Sequence, residues 1–143
     1  MKEIKVYEPW FFILFGIFHL HRIWGLIDRK SYADFWLNVM NEKGITYYSI
    51  MCILTVLCIL GIVTFFKYLH NNYWWRWIYL FGGIYLIFDL FAIATGLQFW
   101  HKLLMKMFDI SSPYWNVIWI AFIFMGGIVF LLGIHLFVKR KKS

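Results

Sequence analysis

Apolar residues in this chain gather into four long blocks, Trp10–Ile27, Ile45–Phe66, Trp74–Phe99 and Tyr114–Val138. Each block is close to or above the roughly 20 residues needed to cross a hydrocarbon core of about 30 Å. Backbone groups inside a bilayer must be satisfied within their own segment, so each block is expected to be a helix. Two shorter stretches show a different pattern. Tyr32, Phe35, Trp36, Val39 and Met40 recur at helical spacing, with Asp34, Asn38, Asn41 and Glu42 largely off the stripe. Residues 31–43 therefore read as an amphipathic helix in the membrane interface, with Ser31 able to cap its start and Gly44 its end. Trp100, Leu103, Leu104, Met107 and Phe108 make a second such stripe over residues 100–110, stopped by Ser111-Ser112-Pro113.

The pattern predicts an all-α integral membrane protein, a four-transmembrane-helix bundle with two short interfacial segments, forming a single membrane domain over residues 1–143. The order span, interfacial segment, span occurs twice. Leu60-Gly-Ile-Val-Thr-Phe65-Phe-Lys67 and Leu132-Gly-Ile-His-Leu-Phe137-Val-Lys139 end the second and fourth blocks, a weak echo that suggests two parallel helix-pair repeats. Small residues mark faces for close helix approach: Gly82, Ala92 and Gly96 on the third block, and Ala121, Gly126, Gly127 and Gly133 on the fourth.

Composition agrees with a lipid environment. The 143 residues are 63% hydrophobic, 24% aromatic and 15% charged. A soluble domain has about half its residues apolar and about a quarter charged. Met1–Glu8 reads as a short polar lead-in and Pro9 as part of a first helical turn. Arg22 interrupts the first block and no small-residue cleavage site follows it, so it is not read as a removable signal peptide. Cys52 and Cys58 fit neither a redox pair nor a metal site and read as packing residues.

The net charge of +7 speaks of orientation, not of nucleic acid. Four spans put both termini on one side, together with Lys2, Lys5, Lys67, Arg76, Lys139, Arg140, Lys141 and Lys142. Arg29, Lys30, Lys43, Lys102 and Lys106 fall on the other side. The excess predicts a plasma-membrane protein with both termini cytoplasmic. Tyr73-Trp74-Trp75-Arg76-Trp77, after the Asn71-Asn72 turn, is an aromatic and cationic anchor at that face.

Candidate chemistry lies where charge enters the apolar blocks. His19, His21 and Arg22 fall in the first and Asp89 in the third. Such groups are costly in lipid and mark function by default. Counted from the cytoplasmic ends, Arg22 is about 12 and Asp89 about 15 residues up their helices, within about one turn of the same depth. His19 lies one turn below Arg22 on the same face, so His19, Arg22, Tyr85 and Asp89 are the predicted ligand-binding set. His21 turns about 200° away from His19 and shares a second polar face with Gly25 and Asp28.

A cation among aromatic residues suits an anionic or carbonyl-bearing, partly apolar small molecule or lipid, in a binding or transport role. One alternative is an intramembrane enzyme on a lipid-like substrate, with His19 as general acid/base and Arg22 stabilising negative charge. Another is an accessory subunit in which Arg22 and Asp89 clamp two helices. Haem is poorly supported, because His19 lacks a mid-depth histidine on another helix, and His70, His101 and His135 lie elsewhere. Histidine spacing for a metal is absent. The lipid bilayer is the expected partner, and a homo-oligomer or larger complex suits any transport role.

Overall fold

A computed structural model describes residues 4–70 and 73–142, Lys142 without its side chain. Lys2, the Asn71-Asn72 turn and the Lys142 side chain, used above, lie outside the described residues. These residues form seven helices and no strand: α1 (Tyr7–Leu20), α2 (Ile23–Ile27), α3 (Arg29–Glu42), α4 (Ile45–Lys67), α5 (Arg76–Thr95), α6 (Gln98–Met107) and α7 (Trp115–Lys142). Four segments are long and apolar enough to cross a membrane, namely Tyr7–Ile27, Ile45–Lys67, Arg76–Thr95 and Trp115–Lys141. Their large side chains, among them Ile17, Val56, Phe91, Phe124 and Leu131, stand exposed along the helices. Water does not tolerate apolar surface on that scale, and lipid does. The protein is an all-α membrane protein with four spans.

The chain divides into two compact units, residues 1–35 with 107–143, and residues 36–106. In the first unit α1 and α2 pack along α7. The pairing is antiparallel, since Trp10 meets Phe137 at one end and the Trp115 indole donates to the Gly25 carbonyl at the other, 2.8 Å. Glycines let the backbones close up. A methyl at Gly126 would stand 2.6 Å from the His19 Cβ, and one at Gly133 would stand 2.8 Å from the Ile13 backbone nitrogen. Small residues at such crossings allow van der Waals packing that bulkier ones prevent. Gly126 and Gly133 fill this predicted role, whereas a methyl at Gly127 would meet nothing within 4 Å.

In the second unit α4 and α5 form an antiparallel hairpin, with Phe65 on Trp77 near one end. Close approach here uses Gly83, where a methyl would stand 2.8 Å from Ile62, and not the expected Gly82, which faces open space. One residue turns a helix by about 100°, so neighbouring glycines point to different faces and periodicity alone chose the wrong one. Cys58 is buried and its carbonyl lies on the Gly83 face, but Cys52 is exposed and does not pack as expected.

Several boundaries differ from expectation for identifiable reasons. The first span starts at Tyr7, drawing Glu8 inside the helix, because the Glu8 carboxylate accepts the Lys5 N–H at 2.7 Å while Glu8 N–H donates to the Lys5 carbonyl. The span is broken at His21-Arg22, where Arg22 N–H bonds to the His19 carbonyl. The third span ends at Thr95 and not Phe99. Gly96 takes the left-handed conformation, φ 67°, with Leu97 N–H returning to the Ala92 carbonyl. Helix α3 is capped by Asp28, whose carboxylate accepts the Ser31 N–H at 3.1 Å, and not by the Ser31 side chain. After Glu42 it is Lys43, φ 50°, that turns the chain left-handed, whereas Gly44, the expected cap, is extended at φ −85° and ψ −162°.

Candidate functional site

Around the break in the first span the structure gathers a cationic and aromatic cluster, all of it inside the first unit. Loss of one regular bond at the break frees the Phe18 carbonyl, and the His21 Nδ1 bonds to it. A side chain entering the hydrogen-bond ladder in this way is a recognised cause of a helix break. Tyr32, the first apolar residue of the α3 stripe, is fully buried at 0% exposure and serves as hub. Its ring meets Trp24, Phe108 and Trp119, with centroids 5.6, 5.9 and 5.3 Å away. Gly25 makes room for it, since a methyl there would stand 2.9 Å from the Tyr32 ring.

Arg22 Nη1 donates to the Tyr32 hydroxyl at 3.1 Å. Its guanidinium carbon lies 4.9 Å from the Phe122 ring centroid, 5.1 Å from Trp119 and 5.7 Å from Phe18. Each is within cation–π range, worth about 2 kcal/mol or more when desolvated. The Tyr32 phenol keeps its proton, because burial pushes its pKa up against the opposing pull of the Arg22 cation.

His19 stacks on the same Phe122 ring at 6.2 Å and 10°, with Phe15 edge-on at 4.7 Å. It is 2% exposed, and neither ring nitrogen has a hydrogen-bond partner. Arg22 Nε and Trp119 Nε1 share that condition, and the Trp119 ring lies 5.8 Å from Phe122. Imidazole, guanidinium and indole each carry at least one N–H. An imidazole N–H of His19, Arg22 Nε and Trp119 Nε1 are thus three buried N–H donors without acceptors around one phenylalanine. Each such orphan costs about 1–3 kcal/mol.

The other expected residues stand as follows. His21 reaches the Tyr32 ring, centroids 5.8 Å apart, and Gly25 faces the same ring. Asp28 is extended, φ −141° and ψ 92°, beyond the end of α2, and so leaves the helical face expected to join it to His21. The Ser31 N–H holds its carboxyl below the usual carboxylate range. Tyr85 and Asp89 belong to the second unit. Tyr85 is 48% exposed, and the Asp89 carboxylate accepts the Trp100 indole N–H at 2.7 Å. That bond ties the start of α6 to α5, a partnership that depth-matching of charges does not reveal. Arg29 adds a tie at the start of α3, donating to Asn116 Oδ1 and to the Ile110 carbonyl, each at 3.2 Å.

Tyr32, Trp119 and Phe122 were not singled out by the sequence as site residues. Tyr32 appeared only as part of an amphipathic stripe, and aromatic residues at 24% of the chain hide two that matter among many. Among the described residues no group of three His, Cys, Asp or Glu side chains is placed to hold a metal ion. No protein-family model, curated protein or solved structure matches this chain.

Proposed function

We propose that this protein binds a partly apolar small molecule or lipid bearing an anionic or carbonyl group, and that the first unit holds its polar end. The observation that carries the reading is the set of donors without acceptors, His19, Arg22 Nε and Trp119 Nε1, around Phe122. An oxygen acceptor would satisfy donors that otherwise cost free energy, and charge-assisted bonds are the stronger kind. The surrounding rings suit an apolar portion. Tyr32, Trp119 and Phe122 replace Tyr85 and Asp89 as the side chains on which the reading rests.

A purely structural role is the competing account, since Arg22 also ties α3 to the span through Tyr32. Trp119→Phe separates them, because it keeps a ring and deletes the N–H. Protein extracted in mild detergent would be examined by mass spectrometry for a co-purifying molecule. The expected result is a molecule with a carboxylate, phosphate or carbonyl group, held about tenfold or more weakly by well-folded Trp119→Phe and His19→Leu. Retention unchanged in both variants, or no bound molecule in the parent protein, overturns the proposal.

The reading places the protein in the plasma membrane with both termini in the cytoplasm. Support comes from the basic residues at the termini and the α4–α5 turn, against fewer near α3 and α6. A reporter active only in the cytoplasm, fused after the last residue, is expected to be active. Activity solely from an exported reporter would reverse the orientation.

A further inference from the structure

We propose a second site, in the second unit, that takes the headgroup of an anionic phospholipid. A pocket of about 210 Å³ opens between the end of α3, the end of α5 and the middle of α6. Its polar lining is Asn41, Lys43 and His101, and Met40, Ile93 and Leu104 contribute apolar wall. None of the lining residues carries a carboxylate.

Two conformational features build this place. Lys43 turns the chain at φ 50° between α3 and the start of α4, and it lines the pocket. Gly96 ends α5 at φ 67° and turns the chain into α6, and the bond from Trp100 to Asp89 ties the start of α6 to α5. Antiparallel α4 and α5 put Ile45 and Thr95 at the same end of their hairpin. The pocket therefore lies where two spans leave the apolar layer, at headgroup depth.

Size and chemistry then select the occupant. Pockets that enclose whole drug-sized ligands measure about 300–1,000 Å³, so this one holds part of a molecule. A rim of lysine, histidine and asparagine over an apolar wall matches a phosphate on a glycerol backbone, with its chains continuing into the bilayer. Lysine suits phosphate as a compact point charge, and opposite charges attract at this depth as elsewhere on a protein surface.

The test uses the full chain in nanodiscs of phosphatidylcholine with phosphatidylglycerol, followed by native mass spectrometry of the lipids retained. The parent protein is expected to keep phosphatidylglycerol over phosphatidylcholine, with a several-fold fall in Lys43→Gln/His101→Gln. Lys102→Gln, which removes a charge from α6 outside the pocket, is expected to behave as the parent. Leu104→Trp, which fills the pocket and keeps every charge, is expected to lose the lipid as the double variant does, and it serves alone if that variant misfolds. Equal loss in Lys102→Gln overturns the proposal in favour of general surface charge. So does equal retention of phosphatidylcholine, or undiminished retention in both pocket variants. Displacement of the lipid by inorganic phosphate would show a free-anion site and overturn the lipid assignment.

Discussion

Gly126 and Gly127 are adjacent in sequence and opposite in consequence. At Gly126 an added methyl runs into the His19 Cβ at 2.6 Å and the Gly16 carbonyl oxygen at 3.1 Å, and two backbones cannot yield as a flexible side chain would. At Gly127 it enters open space. Gly126→Ala is therefore expected to destabilise the α1–α7 pairing by about 1–3 kcal/mol. Gly127→Ala is expected to be neutral or stabilising by about 0.5–1 kcal/mol, through reduced backbone entropy. Thermal unfolding in a common detergent checks the pair, and equal behaviour would remove the account of the crossing. The sequence showed that glycines would matter on this helix, but not which one, because that depends on where a partner backbone lies. The same holds for Trp119. Its ring could be assigned to packing from composition, but its unsatisfied N–H exists only in three dimensions.

At the scale of the element, long apolar runs located all four spans, since length and hydropathy decide that question with little help from context. Ends were less legible. Gly96 carries a usable signal, a glycine closing a helix, and it closes α5 and does not serve a helix-packing face. Lys43 carried none, because a non-glycine residue at positive φ is set by the turn between α3 and α4. The break at His21-Arg22 was also hidden, as neither residue is a helix breaker by propensity. Asp28 governs α3 from just outside it. Its carboxyl is held below the usual value by the Ser31 N–H, so its contribution is complete above the ordinary carboxylate range near about 4 and fades as pH falls through the lowered folded value. NMR titration is expected to show the Ser31 amide shifting at a pH below that of an unstructured aspartate, and Asp28→Ala is expected to abolish the shift and fray the first turn of α3. A titration at the ordinary value would show that the cap does not form.

At the scale of the whole molecule, the two units differ in how they draw on the chain. Residues 36–106 form one continuous stretch, whereas the other unit joins residues 1–35 to residues 107–143. An all-α membrane protein was legible from periodicity, but this pairing was not, because apolar helix faces choose partners by shape and not by pattern. The cluster inherits the difference. Arg22 comes from the first span, while Trp119 and Phe122, over which its cation rests, come from the last. The first span is also the least apolar of the four.

That arrangement sets an order of events during synthesis. Once residue 106 has been made, every residue of the contiguous unit exists. The other unit is still missing its long helix, and Arg22 enters the bilayer before Trp119 and Phe122, two of the three rings that shield it, have been translated. The costliest side chain of the first span must therefore wait in lipid, or at its edge, through the making of two further spans. Completion of the cluster therefore waits for the last of the four spans.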